Sequence, residues 1–289
     1  MQLYLGDCLE VLKTLESDSV DSVVTDPPYG ISFLNHKWDY DVPSVEVWEE
    51  CLRVLKPGGH LLSFSSARTY HRIASLIEDA GFDIRDQIMW VYGQGMPKGK
   101  NLKPAHEPIV VARKPIKGTL KANYEAYGTG YLNTEESKVG LRHPANLIHD
   151  GDEEVIAMFP EKAGALFSAT RSVATKGGSG NSLMGPERSV GEGNGAIDEP
   201  GSAARFFYCA KPSRTERKNN PHPTVKPIKL MQYLCRLVTP AGGVVLDPYL
   251  GSGSTLVAAS NEGLDGIGIE LNPDYFATAQ SRINQPVHS

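Results

Sequence analysis

The sequence predicts an α/β fold, doubly wound around a mainly parallel sheet, and three observations carry that prediction. Short apolar strands alternate with amphipathic stretches of helical period at both ends of the chain. Turns rich in glycine or proline separate them, as at Pro57-Gly58-Gly59 and Gly251-Ser252-Gly253. The 289 residues, 40% hydrophobic and 22% charged, suffice to bury a large core without cross-links.

Taken in order, Leu3 to Leu5 reads as a strand, and Asp7 as the N-cap of a helix carrying Leu9, Leu12 and Leu15. A strand follows at Val20 to Thr25, then a helix from about Ser44 to Lys56. Pro57-Gly58-Gly59 ends that helix ahead of the apolar strand His60 to Phe64. Ala67 to Ala80 fits a helix closed by Gly81, and Ile84 to Tyr92 and Pro108 to Ala112 are β-rich. The last quarter resumes the alternation: helix Ile228 to Val238, strand Gly243 to Leu246, helix from Ser254, strand Gly266 to Ile269, helix Pro273 to Ile283. The middle breaks it. Residues 172–204 hold eight glycines and five serines with almost no apolar period, which reads as loop. The expected organisation is one discontinuous catalytic domain of residues 1–115 and 205–289, interrupted by an insert at 116–204.

A formal charge of -5 excludes a protein coated in cations for nucleic acid, but not a local basic groove. Charges do segregate: Lys98, Lys100, Lys103, Arg113, Lys114, Lys117 and Lys121 face one acid, Glu107. Between Arg205 and Lys229 lie seven more basic residues, among them Arg214, Arg217 and Lys218, again against one acid, Glu216. Either run alone reads as a solvated face; two flanking an irregular insert suit phosphate contacts. Cys8, Cys51, Cys209 and Cys235 lie far apart without metal-ligand spacing, so buried reduced thiols and no metal are expected. No apolar run reaches the roughly 18 residues a membrane span requires, and the chain reads as soluble and cytoplasmic.

Two points fall where an open α/β sheet places ligands, at the carboxyl ends of strands. In Asp247-Pro248-Tyr249-Leu250-Gly251-Ser252-Gly253-Ser254-Thr255 the glycines let backbone approach a ligand at a helix N-terminus. Glu270, at the end of the next strand, is placed to hold two ribose hydroxyls, so a nucleoside ligand fits. An ATPase loop would need a lysine before Ser254, and the dinucleotide fingerprint lacks its third glycine because Leu256 stands there. The plainer reading is a tight strand-to-helix turn. At the other point, Asp26-Pro27-Pro28-Tyr29, the prolines leave the Pro27 carbonyl beside the Asp26 carboxylate as two acceptors for an amino group, and Tyr29 offers a face for a planar base. Its plainer reading is a proline-stiffened turn.

With these residues the chain resembles the S-adenosyl-L-methionine-dependent DNA amino-methyltransferases, in the beta subgroup whose catalytic motif precedes the cofactor motif. Asp26-Pro27-Pro28-Tyr29 matches the catalytic motif and Asp247 to Thr255 the cofactor loop. Gly6-Asp7-Cys8 resembles the segment at the cofactor adenine, and Leu55-Lys56-Pro57-Gly58-Gly59 the turn before the fifth core strand. His222-Pro223-Thr224-Val225-Lys226-Pro227 resembles the segment over the methionine part. The resemblance implies a seven-stranded, Rossmann-like, permuted methyltransferase sheet, with Val20 to Thr25 beside Gly243 to Leu246. It implies cofactor contacts at Asp7, Cys8, His222, Thr224, Lys226, Pro227, Asp247, Tyr249, Gly251, Ser252, Gly253, Ser254, Thr255 and Glu270, and target recognition in the insert. DNA contacts are expected at Lys98, Lys100, Lys103, Arg214, Arg217 and Lys218.

The implied reaction is methylation of the exocyclic N6 of an adenine flipped out of double-stranded DNA. Cytosine N4 needs the same acceptors and a smaller pocket; within the family Asp-Pro-Pro-Tyr looks more like the adenine enzymes. A catalytically silent DNA-binding module of the same fold is opposed by the intact Asp26 and Glu270. Enzymes of this subgroup often look dimeric, so a homodimer is expected, and whether a restriction endonuclease accompanies it stays open.

Overall fold

The computed structural model describes residues 1–32, 39–97, 99–161, 201–210, 220, 222 and 224–284. The chain runs β1 (Gln2–Leu5), α1 (Cys8–Leu12), β2 (Val20–Thr25), α2 (Val45–Val54), β3 (Leu55–Phe64), α3 (Tyr70–Asp79), β4 (Asp83–Val91) and β5 (His106–Arg113). It continues through α4 (Leu120–Tyr127), β6 (Leu147–His149), α5 (Glu153–Ile156), β7 (Tyr208–Cys209), α6 (Ile228–Val238), β8 (Val244–Asp247), α7 (Ser254–Asn261), β9 (Asp265–Glu270) and α8 (Pro273–Ile283). Asp7 caps α1 as expected, its carboxylate accepting the Leu9 and Glu10 N–H groups, although the helix stops short of Leu15.

One sheet takes all the described strands in the order β1-β9-β8-β2-β3-β5-β4-β6-β7. Every pairing is parallel except those of β5, which runs antiparallel to β3 and β4. The expected seven strands are present side by side, and two short ones make the count nine. Leu147–His149, inside the span read as an insert, pairs with Met89–Val91 of β4, and Tyr208–Cys209 pairs outside it. Strands of three and two residues are too short to show an alternating pattern, which is why the sequence hid them.

The centre of the sheet, β2 and β3, is buried on both faces. Along β2 and β3 alternate residues divide between two cores: Val24, Leu62 and Phe64 pack with Leu230, Leu234 and Leu237 of α6, while Val23 and Leu61 pack with Trp48, Cys51, Ile73 and Ile77 of α2 and α3. The Pro57-Gly59 turn proves to be a bulge within β3. Leu55 pairs with Val20 before it, and pairing resumes at Ser22 with His60. Gly58 there has φ 79°, and a side chain would meet the amide of Asn123 on α4, which donates to the Pro57 carbonyl at 2.9 Å. Cys51 and Cys235 are buried, but Cys8 is half-buried and Cys209, on the two-residue edge strand, is exposed. Among the described residues no helix is long and apolar enough to cross a membrane.

Candidate active site

Parallel pairing of β2 with β8, Ser22 with Val245 and Val23 with Leu246, sets the two strand ends side by side across 222 residues of sequence. The Thr25 hydroxyl donates to Asp247 at 2.7 Å and ties one end to the other. Both ends open into one cleft of about 1570 Å³. Its walls include Asp26, Pro27, Pro28 and Tyr29 together with Asp7, Cys8, His222, Thr224, Lys226, Asp247, Tyr249, Gly251, Ser252, Ser254, Thr255 and Glu270.

At the end of β8, Asp247 is 1% exposed and also accepts the Thr255 hydroxyl at 2.5 Å and the Tyr249 N–H at 3.1 Å. Burial pushes its carboxyl up to about 6, against the pull of these donors. The loop beyond takes left-handed backbone at Gly251 (φ 54°) and Gly253 (φ 85°). A Cβ on Gly251 would lie 3.0 Å from the His222 ring, and one on Gly253 3.0 Å from Ala279. Gly253 thus serves packing and caps α7 without lining the cleft; Pro227 likewise caps α6. Glu270 accepts the Gly251 N–H at 2.8 Å and the Asn272 N–H at 2.7 Å, one on each oxygen, while burial raises its carboxyl above the usual range. Arg282 holds the loop from behind, donating to the Ser252 carbonyl at 2.6 Å.

At the end of β2, charge gathers around Asp26. Its Oδ1 accepts the Tyr29 hydroxyl at 2.5 Å and its Oδ2 the Lys226 ammonium at 2.6 Å. Glu107 Oε2 stands 3.2 Å from the same ammonium and 3.1 Å from the same hydroxyl. Burial would lower the Lys226 pKa, but the two carboxylates outweigh it and the ammonium is held above its ordinary value. Burial, with both carboxylates, pushes the Tyr29 phenol well up, so it stays a donor. The Lys226 ammonium sits 5.5 Å from the centre of the Tyr29 ring. Asp39 fixes the turn by accepting the Tyr29 and Gly30 N–H groups at 2.6 and 3.0 Å.

The sequence expectation grouped Lys226 with the cofactor residues; its ammonium lies on Asp26 and Glu107. Glu107, Asp39, Asn272 and Arg282 were not singled out. Glu107 had one signal, as the lone acid in a basic run just before the apolar strand Pro108 to Ala112. Of the expected DNA contacts, Lys103 lines the cleft and pairs with Glu154 at 2.9 Å, and Lys100 is exposed on the same β4–β5 loop. Lys98, Arg214, Arg217 and Lys218 lie outside the described residues, as does the glycine-rich stretch 172–200.

Comparison with known proteins shows what the chain and its fold are similar to. The chain is 26% identical to the Type II methyltransferase M.HpaI of Haemophilus parainfluenzae, over 98% of this chain and 74% of that protein. It is 25% identical to the Type II methyltransferase M.HinfI of Haemophilus influenzae, over 97% and 67%. Its fold matches the M1.HpyAVI-SAM complex with a TM-score of 0.56 at 22% identity, covering 98% of this chain and 99% of that one. It also matches the cytosine-N4-specific PvuII DNA methyltransferase with a TM-score of 0.59 at 17% identity, covering 99% and 87%. A model of the N6/N4 DNA methylase family matches residues 20–281, which enclose both strand ends of the cleft, and the chain belongs to that family.

Proposed function

We propose that this DNA methylase transfers the methyl group of S-adenosyl-L-methionine to N6 of an adenine flipped out of double-stranded DNA, within a specific sequence. The observation that carries the reading is the shared cleft: the Asp26 carboxylate and the Pro27 carbonyl end one strand, and the glycine loop with Glu270 ends its neighbours. The residues suit that cofactor. Glu270 turns a half-buried carboxylate into the cleft as an acceptor for ribose hydroxyls, and the glycine loop lines the cleft at Gly251, under the His222 ring. Asp7, Cys8 and Tyr249 complete that end, with His222 and Thr224 closing over it. Bound there, S-adenosyl-L-methionine supplies an electrophilic methyl group on a sulfonium.

The chain's own residues do the rest. An exocyclic amino nitrogen is a poor nucleophile because its lone pair is delocalised into the ring. When Asp26 and the Pro27 carbonyl accept its two hydrogens, the nitrogen becomes pyramidal and its lone pair can be directed at the donor. Asp26 then stands nearest to take the proton the methylated nitrogen loses. Tyr29 recovers stacking lost when the base leaves the duplex. Lys100 and Lys103, with Lys98, Arg214, Arg217 and Lys218, neutralise DNA phosphates, and the span 116–204 reads the sequence. A homodimer would line one groove with basic runs from both chains, which reconciles DNA binding with a net charge of -5.

Adenine is preferred on the Asp in Asp26-Pro27-Pro28-Tyr29; cytosine N4 is the second reading, since a cytosine-N4-specific enzyme shares the fold. Unmethylated DNA incubated with the protein and labelled cofactor, then digested to nucleosides for mass spectrometry, separates the two. N6-methyldeoxyadenosine is the expected product. Label in N4-methyldeoxycytidine would replace adenine by cytosine, and no label in either would remove the transferase reading.

A further inference from the structure

We propose that Lys226 is a placeholder on the catalytic carboxylate, displaced when the target amino group arrives, and that Glu107 is the positioning residue that receives it. The inference rests on reading Asp26 as the acceptor of the target amino group, and holds for adenine or cytosine.

Both oxygens of Asp26 are occupied, Oδ1 by the Tyr29 hydroxyl at 2.5 Å and Oδ2 by the Lys226 ammonium at 2.6 Å. Each carboxylate oxygen can accept more than one hydrogen bond, but an amino group that donates to Asp26 enters a site these two donors already fill, and in the proposed exchange one of them gives way. Tyr29 shares the turn with Asp26, and its backbone is pinned by Asp39. Lys226 comes from a segment 200 residues away on a flexible four-carbon stem. The ammonium is therefore the group that yields. Its side chain is only 8% exposed, so it cannot withdraw into bulk water without becoming a buried, unpaired charge. Glu107 removes that obstacle. Its Oε2 already lies 3.2 Å from the ammonium, so on leaving Asp26 the ammonium gives up one of its two ion pairs and keeps the other. Glu107 sits near the start of β5, opposite Trp90 of β4, and its position is set by the sheet. Lys226 also donates to the Tyr29 hydroxyl at 3.2 Å, so it keeps carboxylate and ring in register until the base enters. Only hydrogen bonds and ion pairs change in this exchange.

The test compares Glu107→Gln, Lys226→Met and the double variant with wild type. Unmethylated plasmid DNA with tritiated cofactor gives turnover, and sequencing the methylated product gives the site. A duplex with 2-aminopurine beside the target base then reports unstacking, and calorimetry reports cofactor affinity. Glu107→Gln keeps size and one acceptor but cannot hold a cation, so turnover and the 2-aminopurine signal should fall by roughly tenfold or more, with cofactor affinity within about twofold. Adding Lys226→Met should recover at least about threefold of that loss, because no cation is left to relocate. A double variant no better than Glu107→Gln overturns the proposal, as does Glu107→Gln at the wild-type rate. Lys226→Met alone gives an arm that does not depend on Glu107→Gln folding: its unstacking signal should equal or exceed wild type, and a fall would overturn the exchange. Wild-type protein that labels no DNA would instead refute the underlying reading of Asp26, and the inference with it.

Discussion

At the end of β8 the contacts that shape the cleft are short in sequence: the Gly251 N–H reaches the Glu270 carboxylate across 19 residues and the Thr255 hydroxyl reaches Asp247 across 8. At the end of β2 it is made of charged side chains from three stretches, Asp26 with Lys226 across 200 residues and Tyr29 with Glu107 across 78. One side presents a glycine loop and a half-buried carboxylate, which suits a ligand recognised by shape and hydroxyls. The other presents a lysine between two carboxylates, which suits a group recognised by its hydrogens. The division implies that the two ends should respond separately to mutation, and that separation can be broken or sharpened.

The largest effect is expected at Asp26. Asp26→Ala should lower methyl transfer by on the order of a thousandfold, since the acceptor acts on the reacting nitrogen. Cofactor affinity should stay within a few-fold, because the proposed cofactor contacts cluster at the other end. Calorimetry alongside the methylation assay checks both, and equal losses in the two would erase the division. If Asp26 were only a turn cap, the variant would keep its activity and lose about 1 kcal/mol of stability.

The same contrast explains what was legible in the sequence. The β8 end was readable because its determinants are local: left-handed glycines, a helix start and an acid at the next strand end all fall within one window. Asp26-Pro27-Pro28-Tyr29 was readable for the same reason. Its partners were not. No local pattern links Lys226 or Glu107 to Asp26, since only the parallel pairing of β2 with β8 and the antiparallel β5 bring them together. The sheet itself was legible wherever strands had four or more residues on an apolar face. It was illegible at Leu147–His149, where neighbours rather than pattern decide the pairing.

A second effect should appear in stability rather than activity. Asp247 carries a folded-state value of about 6 against 3.8 for the free group, because burial disfavours its charge. The folded protein then binds the proton more tightly than the unfolded chain between these values, so this group's stabilising contribution is full below about pH 4 and is lost as pH rises through 6. A two-unit gap corresponds to about 3 kcal/mol. Denaturant melts of wild type and Asp247→Asn at pH 4 to 7 should converge or cross in that window, with wild type losing ground as pH rises. Parallel curves would show that the threonine hydroxyls of Thr25 and Thr255 fully offset the burial.

The smallest effect concerns Glu270, where the structure adds a second role to the expected one. Its two oxygens hold the Gly251 and Asn272 N–H groups, so the carboxylate shapes the loop as well as facing the cleft. Charge-assisted hydrogen bonds to ribose hydroxyls are worth on the order of 1.5–3 kcal/mol, so Glu270→Ala should weaken cofactor binding by roughly tenfold or more. DNA affinity measured without cofactor should barely move. Glu270→Gln separates the roles, because the amide keeps one acceptor for the loop but loses the charge. If the carboxylate acts mainly on the cofactor, Gln should lose nearly as much affinity as Ala. If it acts mainly on the loop, Gln should recover most of it and also restore the melting temperature lost by Ala. Unchanged cofactor affinity in both variants would return Glu270 to an ordinary strand-end acid, and the other residues proposed for that end, Asp7, Tyr249 and His222 among them, would then have to supply the recognition.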